Sequence, residues 1–185
     1  MKANEAINTQ ISRTLKASRK ERGWSLDKTA QQTGVSKAML GQIERQESSP
    51  TIATLWKIAT GLQCSFSSFL IPGAAGTDVS TAPTGETGFS ADSNMKVKTL
   101  FPYSPITRSE MFEITLTDFH EQLSTPHQSG VLEHIHVIEG QLEILQQETW
   151  HPVGAGEQFL LSADREHGYR DLSGKTRFID MIFYP

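Results

Sequence analysis

The sequence predicts two modules of opposite secondary structure: an all-α N-terminal half, then an antiparallel β sandwich or barrel. Three observations carry this. Up to Leu62 the apolar residues recur at helical spacing, as in Ile7, Ile11 and Leu15, Leu40 and Ile43, or Leu55, Ile58 and Leu62. Beyond residue 94 they give way to short segments rich in β-branched and aromatic residues, separated by Gly, Pro and Asp turns. Between the two lies IPGAAGTDVSTAPTGETGFSADSN, which has no apolar period and reads as a linker. The expected boundaries are therefore 1–72 for the first module, 73–94 for the linker and 95–185 for the second module.

Charge divides along the same line. Up to Pro72 there are 10 Lys and Arg against 5 Asp and Glu, whereas the remainder holds 7 against 16, within a net charge of -4. A basic module tethered to an acidic one points to a polyanion as the partner of the first alone, because phosphate contacts dominate nucleic-acid affinity. All six histidines fall in the acidic half. No apolar run approaches the ~18 residues needed to span a bilayer, and MKANEAINTQ lacks the apolar core of a signal peptide. The lone Cys64 cannot form an internal disulfide, so it reads as a small buried hydrophobe in a cytoplasmic protein.

In the first module, Ser25 and Ser36 stand as N-caps of two short helices and Gly34 supplies the turn between them, the skeleton of a helix-turn-helix. If Leu40 and Ile43 face the core, helical periodicity turns Lys37, Ala38, Gly41, Gln42 and Arg45 outward. In the second module, strands are expected within 111–116, 135–145, 158–161 and 177–184. Alternation puts Glu133, Ile135 and Val137 on one face, leaving His134 and His136 as an outer-face or interface pair. His120 and His151 read as surface residues.

The run GWSLDKTAQQTGVSKAMLGQIERQESSPTIATLWKIATGL resembles the helix-turn-helix of the phage-repressor-like XRE family, over residues 8–70. The Gly-Val-Ser turn, the Ile43-Glu44-Arg45 signature and the helix from position 50 to 62 carry the match. The resemblance implies a five-helix bundle on double-stranded operator DNA. It places Lys37, Ala38 and Gln42 at base-reading positions and Ser25, Ser36 and Arg45 on phosphates. Gly41 costs roughly 1 kcal/mol in a helix interior, and the expected return is close approach of its backbone to DNA. Arg19 and Glu44 match a family pair that bridges the first and third helices. Gln46 stands where many relatives have glycine.

Residues 124–171 resemble the cupin double motif, an antiparallel jelly-roll barrel whose interior often holds a metal. Glu133 to Gly140 reproduces the Glu-x6-Gly half of the first motif. His127 stands near its second histidine position with five intervening residues rather than three or four, and Thr125 replaces its first histidine. In the second motif Gly156, Ser162, Asp164, His167 and Asp171 keep the spacing, but only the glycine and histidine keep their identity. The implied ligands are His127, Glu133 and His167, suited to Zn²⁺ first among divalent ions, with Thr125 completing an effector pocket. The other reading is a metal-free polar pocket in which the same residues hold the effector directly.

Both halves in this order resemble the XRE-cupin regulators. Within that group VSKAMLGQIER, STPH and VIEGQL resemble enterobacterial regulators of sulfur utilisation, which implies a homodimer, a palindromic operator and a sulfur-containing metabolite or amino acid as effector. Two competing functions fit the same residues. One is a metal-dependent cupin oxygenase or isomerase with a DNA-binding appendage. The other is a constitutive repressor whose barrel serves only to dimerise.

Overall fold

A computed structural model describes residues 2–70 and 94–185. The expected linker, apart from Asn94, lies outside the described residues.

The helical module comprises α1 (Lys2–Glu21), α2 (Leu26–Thr33), α3 (Lys37–Glu44) and α4 (Ile52–Gly61). Its boundaries follow from local chemistry. The Ser25 hydroxyl accepts the Lys28 N–H to start α2, and Gly34 ends that helix in the left-handed region at φ 67. The Ser36 hydroxyl accepts the Met39 N–H to start α3. Thr51 does the same for Thr54 at the head of α4, a cap the sequence did not reveal. The predicted apolar stripes meet inside: Ile11, Leu15, Leu40, Leu55, Ile58 and Leu62 are wholly buried.

The five-helix expectation is corrected to four α-helices, because the last segment, Phe66–Phe69, is a single 3-10 turn. Its serines bond locally instead of propagating a helix, with the Ser68 hydroxyl donating to the Ser65 carbonyl at 2.6 Å. Gln46 adopts φ 61, a left-handed position that explains why glycine suits this turn in relatives. Arg19 spans α1 to α3, donating from Nε and Nη2 to both Glu44 oxygens at 2.6 and 2.9 Å and from Nη1 to the Trp24 carbonyl at 2.9 Å.

The second module has nine strands: β1 (Met95–Ser104), β2 (Ser109–Thr117), β3 (Glu121–Ser124), β4 (Leu132–Glu139), β5 (Gln141–Gln146), β6 (Thr149–Gly154), β7 (Gln158–Ser162), β8 (His167–Asp171) and β9 (Lys175–Phe183). They form two antiparallel sheets, ordered β1-β2-β9-β4-β7 and β3-β8-β5-β6. No hydrogen-bonded strand pair joins the sheets among the described residues, so the closed barrel is corrected to an open two-sheet sandwich. The expected 135–145 strand is split at Gly140, where the chain passes from one sheet to the other. There φ is 85, and a Cβ would lie 2.4 Å from the Lys175 carbonyl oxygen.

The two modules share one continuous apolar core. Trp56 of α4 packs edge-on against Phe66 and against Phe112 of β2, at ring separations of 3.7 and 5.7 Å. Glu110 of β2, almost fully buried, accepts the backbone N–H groups of Phe66 and Ser67 at 3.0 Å each, together with the Tyr184 hydroxyl. The Ser67 hydroxyl in turn accepts the Tyr103 N–H at 2.9 Å.

Because the Arg19 and Glu44 side chains retain only 14% and 9% of their exposure, Glu44→Ala leaves a nearly buried guanidinium unpaired. The expected cost is on the order of 3 kcal/mol, read as an earlier melting transition with operator preference unchanged. An unshifted transition would show that the pair does not hold α1 to α3.

Candidate functional site

The outward face of α3 is built by its own periodicity. Lys37, Ala38, Gln42 and Arg45 are exposed while Leu40 and Ile43 are buried. Gly41 departs from the expected outward placement, because it too is buried. A Cβ there would meet the Arg45 guanidinium at 3.1 Å and Leu26 at 3.8 Å, so the glycine makes room for a side chain of its own helix rather than for a partner. Ser25 and Ser36 are exposed caps. Lys37 pairs with Asp27 at 2.8 Å and Arg45 with Glu47 at 2.7 Å, all four side chains more than half exposed.

In the second module, three residues far apart in sequence converge. Glu133 points inward from β4, His167 opens β8, and His127 sits in the loop between β3 and β4. The loop is pinned by the His127 N–H donating to the Ala163 carbonyl at 2.8 Å, and a Gln128–Val131 turn absorbs the extra residues of the motif. The potential ligand atoms of His127, Glu133 and His167 lie within 4.8 Å of one another, so this cluster can hold a metal ion. Thr125 is exposed and, with Ser124 and His127, lines a narrow recess beside the cluster. His134 and His136 face outward as alternation requires, while His120 and His151 are half-buried rather than fully exposed.

The donor chemistry of the cluster is set by its partners. His167 Nδ1 lies 2.8 Å from the Arg165 carbonyl, which can only accept, so Nδ1 carries the proton. The lone pair at Nε2 is then bare. That atom is buried without a hydrogen-bond partner, and it faces the Glu133 carboxylate oxygen at 3.7 Å. Burial pushes the His167 imidazole below its ordinary range despite the nearby carboxylate, favouring the neutral ring. Burial alone would raise the Glu133 carboxyl, but His167, His127 and the Tyr169 hydroxyl together hold it below the usual range. Two electron-rich atoms thus face each other in a buried site, an arrangement that a cation between them would resolve.

Three residues here went unanticipated. The Tyr169 hydroxyl donates to Glu133 Oε2, and burial with that carboxylate holds it protonated. The signal was present, since Tyr169 shares a strand face with His167. Thr60 of α4 places its hydroxyl 2.8 Å from His127 Nδ1, while His127 Nε2 lies 3.0 Å from Glu133 Oε1. No sequence pattern links it to the cluster. Asp180 of β9 is wholly buried, neither carboxyl oxygen has a hydrogen-bond partner, and burial with the nearby Glu133 and Glu110 charges pushes it well above the carboxylate range. Cys64, half-buried, has its thiol pushed up to about 12 by burial, so it is inert, as a structural cysteine should be.

Tyr169→Phe deletes the donor to a buried carboxylate, and in chelator-treated protein it should cost ~1–3 kcal/mol in denaturant unfolding. An unchanged midpoint would remove Tyr169 from the set of groups that stabilise Glu133.

Residues 15–69 match the helix-turn-helix family HTH_3. Over 176 residues the chain is 46% identical to the HTH-type transcriptional regulator SutR of Escherichia coli (strain K12), with 95% of each covered. Its fold is similar to the crystal structure of an HTH_3 family transcriptional regulator from Vibrio cholerae, with a TM-score of 0.85 and 50% identity over 97% of this chain and 98% of that one. A cupin_2 domain of an XRE family transcriptional regulator from Enterobacter cloacae, 34% identical, aligns with 50% of this chain and 99% of its own at a TM-score of 0.49. No described helix is long and apolar enough to cross a membrane. With the likeness running through both modules in the same order, the chain belongs to the XRE-type helix-turn-helix transcriptional regulators that carry a C-terminal cupin domain.

Proposed function

We propose that this regulator reads a palindromic operator as a cytoplasmic homodimer, and that its cupin domain binds a small effector with the help of a divalent ion, Zn²⁺ first, held by His127, Glu133 and His167. The observation that carries the metal reading is the bare His167 Nε2 facing Glu133 in a buried site. Two imidazoles and one carboxylate suit zinc while leaving a coordination position for a ligand, and the ion would supply a fixed positive charge there. The resemblance to regulators of sulfur utilisation favours a sulfur-containing metabolite or amino acid as effector. The same donor types also support iron oxygen chemistry, but likeness to a transcriptional regulator over nearly the full length favours sensing over catalysis.

On α3, Lys37, Ala38 and Gln42 are assigned to base edges, and Ser25, Ser36 and Arg45 to phosphates. Gly41 is withdrawn from the contact set because it is buried. A dimer is supported by the small reach of a single eight-residue recognition helix. It is supported as well by exposed Leu132 and Leu160 beside His134 on the outer face of the larger sheet. The domain boundaries 1–72, 73–94 and 95–185 remain part of this proposal.

The DNA reading is tested by substitution. Gln42→Ala should relax preference at one or two base positions by ~1–3 kcal/mol, while Arg45→Ala should weaken binding evenly across sequences. A binding-site selection that returns the wild-type motif from Gln42→Ala removes Gln42 from base readout. For the metal, wild-type protein should carry one Zn²⁺ per chain by elemental analysis, and His167→Ala should lose it while keeping basal operator binding. A wild type that stays metal-free after zinc loading would leave a polar pocket without an ion.

A further inference from the structure

We propose that a small organic acid with an apolar body binds in the cleft between the two modules. The cleft borders the cupin cluster through His127, so its occupant would be the effector that the regulator reads. The proposal deepens the functional reading above and rests on it only for the existence of an effector. The cleft has a volume of about 550 Å³, within the ~300–1,000 Å³ typical of small-molecule sites. Arg13 and Ala17 of α1 and Thr60 of α4 form one wall, and Tyr103 of β1, His127 and Tyr184 form the other. The recess beside Ser124, Thr125 and His127 is too narrow to hold even a water.

The walls state what fits. Arg13 is exposed, and none of the ion pairs among the described residues engages it, so its guanidinium presents free donors that match a carboxylate. Trp56 and Phe66 line the cleft with apolar surface, and small Ala17 leaves room above it. An occupant would be felt by both modules. It would touch α1, which carries α3 through Arg19 and Glu44, and it would touch His127, whose ring is shared between Thr60 and Glu133. A ligand that contacts both walls prefers one arrangement of the modules, and that differential affinity is what shifts DNA binding.

The test uses 1-anilinonaphthalene-8-sulfonate, an anion with an apolar aromatic body, titrated by fluorescence into the full chain after metal is removed with EDTA. Wild type should bind at one site per chain. Ala17→Trp, which fills the cleft from an exposed helix position, should weaken that binding at least about tenfold while leaving zinc uptake intact. Arg13→Glu, a surface exchange that keeps the test valid should the tryptophan variant fold poorly, should weaken it by a similar factor. Equal affinity in wild type and both variants, or no single-site binding in the wild type, overturns the cleft as a ligand site. Saturating probe should change operator affinity in the wild type, and an unchanged affinity overturns the regulatory role. A wild type that binds the probe but takes up no zinc sinks the metal reading and leaves the cleft standing.

Discussion

Glu110 lies on a strand of the cupin domain, yet the amide groups it satisfies belong to the turn that ends the DNA-binding module. Each side needs the other. A carboxyl group at 1% exposure is costly unless hydrogen-bonded, and the first amides of a helical turn are orphans unless capped. Burial pushes the Glu110 carboxyl upward, and the bonds from Ser67, Tyr184 and Phe66 offset only part of that rise. The result is a directional joint rather than a greasy one. Apolar contact among Trp56, Phe66 and Phe112 supplies most of the attraction, but hydrogen bonds of fixed geometry decide where the turn must sit.

From that joint the rest of the site follows. With Phe66 and Trp56 seated on β2, α4 is brought alongside the β3–β4 loop, and Thr60 reaches His127. The hydroxyl is a suitable partner because it can donate or accept. While His127 Nε2–H donates to the ionised Glu133, Nδ1 must accept from Thr60. Were Nε2 to hold a cation, the ring proton would sit on Nδ1 and Thr60 would have to accept instead. The helical module therefore supplies a hydrogen-bond partner to the cluster, and the polarity of that contact would follow the state of the cluster.

What the sequence revealed and what it hid divide by range. Ser25, Gly34 and Ser36 were legible because capping is a contest between neighbouring residues. Glu133 was legible because alternation is a property of one strand, and Tyr169 could have been read in the same way. Gly41 was misplaced for a reason that periodicity does not encode, since the side chain four residues on, Arg45, folds back over it. Closure of the barrel was equally hidden. Alternation tells which face of a strand is buried, whereas closure depends on whether distant edges pair. Glu110 and Thr60 had no signature because their partners lie 44 and 67 residues away in sequence.

On the proposed reading of α3 as the DNA-facing helix, the charge of its outward surface shows how a weak interaction would serve a strong one. Lys37 and Arg45 are cations on the outward face of that helix, and each rests against a carboxylate. With side-chain exposures between 53% and 65%, these pairs contribute little to stability, so a phosphate can displace Asp27 or Glu47 cheaply. They do lower the positive potential that the helix offers to any polyanion at a distance. A site that engages only phosphates would therefore have to outcompete an internal anion for each cation, while a site that also met the proposed contacts of Gln42 and Ala38 would have further contacts with which to do so. Specificity in such a surface would arise partly from what the protein withholds from non-cognate DNA.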